Sequence, residues 1–504
     1  MSNQNSSARH HSLNFATAIG LCCFCLLSIQ QPLAADEWTI RTADGTETIS
    51  ASAHGSAEGV KALMLPDGSI RLEPSANIIK RVPMDGLALA AAEEMSETLK
   101  GELGGELVLT LYDEPFLVAL VLSDPLDRRD DRRAAGFLKK AVRFQQNVNR
   151  VFERFADEVD LKLTEPEFPL VMLVFESDDD FEAYATEATG GRGLSASSVL
   201  GFYSGITNRL ALRLTECDTF EVPLHEAIHQ FVYNRGLAKR LAPVPSWWNE
   251  GIATGFENNG ETIGVGPGRI SADFAERAQT ANSSDWNGVV SGDTAFRRDS
   301  LAGDAYTHAW SLHWYLVTQH RKQYADFVRS LGQLEPLTDQ TPESRLAIFQ
   351  RAFKQPPNEM QSEFPRVLSV GLRRQRVRKQ ETSRRGWMTR RSNLARVEIN
   401  AGSVNGGPIR VHGAMKNISP IRSMSFVVRV ETDGGLYADW HVPNLAPGRT
   451  MKLLPQNVQK AAPGAIGVGG TRFGVAVETA VPDSPEAKNW AAGDLPVPVF
   501  SRVR

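Results

Sequence analysis

The sequence predicts an α+β protein. A mixed core fills the middle of the chain, with a small N-terminal β-barrel-like module before it and a C-terminal immunoglobulin-like β-sandwich after it. Three patterns predict this. Alternating apolar and polar residues with Asp-Gly turns fill 36–84, helical and strand periodicities interleave over 85–372, and alternation returns over 397–504. At 504 residues the chain exceeds one ordinary domain, and its length suggests roughly three.

Composition narrows the function classes. The chain is 42% hydrophobic and 23% charged, as in a globular protein, which argues against disorder and against a multi-span membrane protein. A formal net charge of -4 provides no global basic field, so no nucleic-acid partner is expected.

The start "MSNQNSSARHHSLNFATAIGLCCFCLLSIQQPLAADEW" has a polar opening with Arg9, an apolar run from Phe15 to Ile29, then small residues and an acidic flank. That tripartite order predicts a secretory signal peptide over 1–35, cut near Ala35, and a secreted or periplasmic protein. The apolar run is short for a span, which needs about 20 residues, so the mature chain is expected to carry no transmembrane segment. Cys22, Cys23 and Cys25 fall in this leader. The mature chain keeps only Cys217, so core packing or a metal must do what disulfides do in many exported proteins.

The elements follow in order. "EWTIRTADGTETISASAHG" and "VKALMLPDGSIRLEP", with turns at Asp44-Gly45 and Pro66-Asp67-Gly68, predict the short strands of an SH3-like module over 36–84. Phe137, Leu138, Ala141, Val142, Val148, Val151, Phe152 and Phe155 recur at helical spacing and predict a core helix from about Asp131 to Ala156. Val171 to Phe175 reads as a buried strand, followed by a helix capped at Asp179 or Asp180. A glycine-rich loop at Gly190, Gly191 and Gly193 comes next. In "NRLALRL", Leu210, Leu212 and Leu214 share one face and Arg209 and Arg213 the other, which reads as an edge strand.

Beyond it, Ala305 to Leu331 predicts one long helix, and "QRAFKQPPNEMQSEFPRVLSVGL" more helix. The basic stretch 373–396 reads as a solvated helix end and linker, since no aromatic interleaving supports a polyanion site. From 397 onward, short alternating segments bounded by Gly, Pro and Asn predict the β-sandwich. Both β modules read as binding or spacer units, suited to a surface or a protein partner.

The chemistry concentrates in "VPLHEAIHQFVYN", Val222 to Asn234. On a helix, His225 and His229 lie on one face about 6 Å apart, close enough to converge on one cation. Glu226, beside His225, can reach a water held there without itself being a ligand. Leu224, Ile228 and Val232 form the opposite, apolar face. The motif alone leaves a second reading open, two surface histidines with a helix-stabilising glutamate. "PSWWNEGIATGFE" then places Glu250 on a second helix, 21 residues after His229. Catalytic zinc takes three protein ligands and keeps one open position, which His225, His229 and Glu250 supply. Glu250 read by itself is an acid near a helix N-terminus, favoured by the dipole.

HExxH followed by a "WxNEGxA" segment resembles the gluzincin zinc metallopeptidases, and most of all their peptidase-MA-like branch. The resemblance spans roughly Glu114 to Leu372, within a metallopeptidase domain assigned to 85–372. It implies one Zn2+ per chain on His225, His229 and Glu250, with Glu226 as general base for the water that attacks a peptide carbonyl. It also implies a later tyrosine that stabilises the oxyanion. "DAYTHAWSLHWYL" offers Tyr306, 56 residues after Glu250, with His308 as a rival. No glycine-rich exopeptidase signature precedes the motif, which favours an endopeptidase acting on a peptide or protein. Asn249 and Thr254 flank the ligand glutamate, and Glu257 further on reads equally well as a carboxylate that orients a ligand histidine and as a solvent-facing glutamate. Substrate-binding residues are not identified, although the strand at Arg209–Leu214 offers β-augmentation to an extended substrate. The rival expectation is a catalytically silent zincin scaffold that binds a partner.

Overall fold

The computed structural model describes residues 34–189, 199–257, 263–264, 266–280, 285–297, 302–377, 387–392, 394–402, 409–432, 436–458, 460–461, 473–480, 482, 484–485 and 487–488. The stretch 1–35 read as a leader, apart from its last two residues, and the glycines at 190, 191 and 193 lie outside the described residues. No described helix is long and apolar enough to cross a membrane.

The fold is α+β. Its first sheet contains β1 (Ala35–Thr42), β2 (Gly45–Ala57), β3 (Val60–Met64), β4 (Ile70–Pro74) and β5 (Ile78–Met84), in the order β4-β3-β2-β1-β5. All four pairings are antiparallel. A bulge between Ala53 and Gly55 bends β2, so one long strand pairs with β1 at one end and β3 at the other. Trp38, Ile40, Ala51 and Leu63 form its small core. At Gly68 the turn needs glycine twice over, because φ is +79° and a Cβ would sit 2.7 Å from the Phe168 ring.

The central sheet comprises β6 (Val108–Asp113), β7 (Phe116–Val121), β8 (Leu170–Phe175), β9 (Gly201–Ser204) and β10 (Arg209–Arg213), ordered β6-β7-β8-β10-β9. β7, β8 and β10 run parallel, and the outer two strands run antiparallel to their neighbours. Both faces are covered, which is why "FLVALV" and "LVMLVF" are unbroken apolar runs. Phe116, Val118 and Leu120 point to the face packed by α2 (Arg128–Glu158). Leu117, Ala119 and Val121 point to the face packed by α1 (Ala92–Leu103) and α3 (Asp178–Ala188).

Three local expectations are corrected here. α2 starts at Arg128 because the Asp127 side chain accepts from the N–H groups of Arg129 and Asp130, both at 2.7 Å. Ser177, and neither Asp179 nor Asp180, caps α3. Most important, Arg209–Arg213 is not the sheet edge. A tight turn with Asn208 at φ 58° folds β9 back along β10, so β10 is interior and β9 is the outermost strand among the described residues.

Helices follow: α4 (Glu221–Asn234), α5 (Ser246–Phe256), α6 (Ala272–Thr280), α7 (Trp286–Ser291), α8 (Ala302–Gln319), α9 (Arg321–Leu331), α10 (Pro342–Phe353) and α11 (Pro357–Gln375). The single helix expected over Ala305–Leu331 is two. His320, at φ -129° and ψ 38°, ends α8 and opens α9. The turn lays Phe327 against Trp247, with rings stacked at 5.5 Å.

The C-terminal region holds β11 (Trp387–Ser392), β12 (Ala395–Gly402), β13 (Arg410–Asn417), β14 (Met424–Thr432), β15 (Leu436–Leu445), β16 (Thr450–Asn457), β17 (Lys460–Ala461) and β18 (Phe473–Ala480). They form two four-stranded sheets, β11-β12-β13-β16 and β17-β15-β14-β18. β11 falls inside the stretch read as a basic linker, because its whole length pairs with Ala395–Asn400 of β12 regardless of the arginines it carries.

This region is locked to the core. The guanidinium of Arg422, 4% exposed, donates to the carboxylate of Glu176, 3% exposed, at 2.6 and 3.0 Å and also to the carbonyls of Asp124 and Pro125. Arg422→Met leaves the Glu176 charge buried without its partner and is expected to cost about 3–5 kcal/mol. Urea unfolding measures it, and a change below about 0.5 kcal/mol, the size of an ordinary surface substitution, contradicts the buried-pair reading.

Candidate metal centre

α4 sits with Leu224, Ile228 and Val232 fully buried against the core, as their spacing predicts, and this turns His225 and His229 to the opposite side. α5 starts after Pro245, where the Ser246 N–H donates to Asp293 Oδ1 at 2.9 Å. Trp247 and Trp248 anchor it in the core, and Glu250 emerges beside the histidines.

The three side chains meet. His229 Nε2 lies 3.0 Å from His225 Nε2, and Glu250 Oε2 lies 3.1 Å from the first imidazole of the motif and 3.6 Å from the second. Ligands at 2.0–2.1 Å in a tetrahedral zinc site stand roughly 3.3 Å apart, so this triangle has the size such a cation needs. Among the described residues, His225, His229 and Glu250 form a cluster able to hold a metal ion, with ligand atoms within 4.8 Å of one another. Two imidazole nitrogens aimed at one point with a carboxylate oxygen are a donor set suited to zinc.

Glu257 hydrogen-bonds His225 Nδ1. That contact favours a proton on Nδ1 and turns Nε2 toward the other two side chains, where its lone pair would face a bound metal. His229 Nδ1 is buried with no partner among the described residues. Thr254 takes no part, since its hydroxyl donates to the carbonyls of Glu250 and Gly251.

Electrostatics favour a cation here. Burial alone pushes the Glu250 carboxyl up. The charge of His229, together with hydrogen bonds from both histidines, outweighs burial and holds Glu250 well below the usual carboxylate range. Burial lowers His225, but the Glu257 charge and bonds to Glu250 and Glu257 leave it well above its ordinary value. Three carboxylates, Glu226, Glu250 and Glu257, surround two imidazoles, so the cluster attracts positive charge.

Glu226 does not join the triangle. It lines the same cleft, and its Oε2 accepts the Tyr203 backbone N–H at 2.9 Å. Burial raises its pKa, opposed by the two histidines and reinforced by Glu250. Tyr306 reaches the cleft from α8, its ring 6.2 Å from that of His225. Burial, with the charges of Glu250 and Glu226, raises its phenol, so it stays a neutral donor. His308, the rival, is buried and is not among the residues lining the cleft.

Sequence reasoning missed how α8 gets so close. A Cβ on Gly251 would stand 2.7 Å from the Ala309 carbonyl oxygen and 2.9 Å from His313 Cβ, and one on Gly255 would stand 2.7 Å from Pro267 Cβ. The four-residue spacing of these glycines in "EGIATGF" was the available signal. Behind them, Trp248 Nε1 donates to the Tyr324 hydroxyl at 3.1 Å, and that hydroxyl pairs with His313 Nε2 at 2.7 Å. Burial pushes His313 down to about 3, so it is a neutral acceptor for the phenol.

Comparison with known proteins adds little about chemistry. Residues 222–338, which include His225, Glu226, His229, Glu250, Glu257 and Tyr306, match a family described as "Protein of unknown function (DUF1570)". No curated protein matches. Among solved structures the chain is similar to "The crystal structure of a functionally unknown conserved protein mutant from Bacillus anthracis str. Ames". The sequences are 10% identical, the match covers 76% of this chain and 86% of that chain, and the TM-score is 0.29.

Proposed function

We propose that this protein is an exported zinc-dependent metallopeptidase of the gluzincin, peptidase-MA-like kind, acting as an endopeptidase. The observation that carries the reading is the His225–His229–Glu250 triangle with Glu226 beside it and outside it. The strand–helix–strand lead-in to α4 supports a zincin-like core. β5 returning onto β1 supports an SH3-like barrel, and two four-stranded sheets whose buried apolar residues share one cluster support an immunoglobulin-like sandwich. Export rests on the leader pattern in the first 35 residues.

His225, His229 and Glu250 would hold the zinc, which when bound supplies Lewis-acid polarisation of the attacking water and the scissile carbonyl. Glu226 takes a proton from that water as its oxygen bonds to the carbonyl carbon, and burial makes this carboxylate a stronger base than a solvated one. Tyr306 donates its O–H to the developing oxyanion. As the C–N bond breaks, Glu226 returns the proton to the departing amine. Glu257 keeps His225 in the ligating tautomer. The outer edge of β9, where the Tyr203 N–H is held by Glu226, is where an extended chain can pair with the remaining backbone groups. The cleft continues on both sides of His225, Glu226 and Tyr306, which suits a substrate that extends both ways.

A peptide-library digest by the zinc-loaded chain tests this. Internal cleavage is expected, abolished by a chelator and restored by zinc. A chain that holds one zinc and cuts no peptide contradicts the reading.

A further inference from the structure

The metal centre lies in a cleft of about 450 Å³ lined by its own ligands, and one end of that cleft, beyond the ligands, is a hollow with an aromatic wall. Tyr203 of β9 and Tyr233, one turn beyond His229 in α4, stack with ring centroids 5.7 Å apart and planes 16° from parallel. Tyr203 is fixed from behind. Its hydroxyl donates to Asn208 Oδ1 at 2.7 Å, and Asn208 and Asn234 exchange amide hydrogen bonds at 2.8 and 3.0 Å. Leu241 and Gly205 belong to the same lining.

Leu241 stands at φ 60°, a conformation that a branched side chain adopts only when its surroundings hold it there. Arg240 holds it. Its guanidinium, 6% exposed, donates to Gly68 O of the N-terminal module at 2.6 Å and to Gly205 O at 3.3 Å. The Arg240 carbonyl bonds His54 Nε2 at 2.9 Å, and the Leu241 carbonyl accepts the Leu337 N–H at 2.9 Å. The N-terminal module thus braces one wall of the cleft. Rigid aromatic and aliphatic surface at this end of the cleft, next to the polar side chains of the metal centre, is a preformed receptor for an apolar group.

We propose that this hollow is a side-chain subsite that takes a large apolar or aromatic residue next to the scissile bond of the peptide substrate. The assignment rests on the peptidase reading and adds its selectivity. Burying a phenyl ring where alanine leaves the hollow unfilled is expected to favour phenylalanine by about 30-fold.

Phosphinic peptide analogues with Phe or Ala on either side of the phosphorus are titrated into the zinc-loaded full chain. The wild type is expected to prefer Phe about 30-fold at one of the two positions. Gly205→Leu has room to fill the hollow, since a Cβ there would meet only Leu241 Cδ2, at 3.9 Å, within 4 Å. It is expected to bring the ratio to about 1 with zinc content unchanged, and Tyr233→Ala, which removes one ring, to lower it as well. A ratio near 1 at both positions in the wild type, or one that survives both substitutions, overturns the subsite and leaves the peptidase reading standing. Failure of every analogue to bind the zinc-loaded chain overturns the peptidase reading and the subsite together.

Discussion

Glu226→Gln is expected to lower peptide hydrolysis by about 10²–10⁴-fold, the size of a lost general base, while zinc stays bound. The reason is geometric. Glu226 stands outside the ligand triangle, so its charge is not needed to hold the ion, and a glutamine oxygen can still accept the Tyr203 N–H. The variant therefore keeps its shape and loses its proton acceptor. kcat/KM and metal content, read on the same preparation, separate base from ligand. Normal turnover by the variant removes Glu226 from the base role, and loss of zinc makes it part of the metal site.

Gly251→Ala is the second large effect, and it acts on packing. The new methyl meets the Ala309 carbonyl and His313 Cβ, both parts of a rigid helix and not the tips of flexible chains, so α8 must move. About 1–3 kcal/mol of stability is expected to go. Activity is expected to fall further than stability, because α8 carries Tyr306 and α5 carries Glu250. Gly101→Ala, at an exposed position of α1 with nothing within 4 Å of the added methyl, is the matched control and is expected to stabilise by about 0.5–1 kcal/mol. Equal stability changes in the two variants contradict the close-approach account. Urea midpoints measure the stability side, and kcat measures the displacement of Tyr306.

How much of this was legible follows from what each feature depends on. The HExxH spacing, the core stripe of α2 and the apolar face of α4 are local periodicities, and they were readable because a helix brings residues four apart together whatever surrounds it. That Glu250 joins the histidines was readable only as a ligand count, since what carries it there is the packing of Trp247 and Trp248. The exchange of edges between β10 and β9 was hidden. β9 is four residues long, opens on glycine and shows no alternation, while β10 alternates like an edge although both its sides are paired. The break at His320 was invisible for a related reason, as no glycine or proline interrupts the helical pattern there. β11 was taken for linker because arginines set its composition, whereas its state is decided by the backbone of β12. The aromatic hollow joins residues from β9, the end of α4 and the loop after it, and no single window of sequence contains all three.

The account stands on a metal at the triangle, so the most direct measurement is the metal content of the purified chain beside Glu250→Ala. One zinc per wild-type chain, lost in a variant that still folds, is the predicted result. A folded wild type that takes up no zinc, or a variant that holds as much as the wild type, contradicts it.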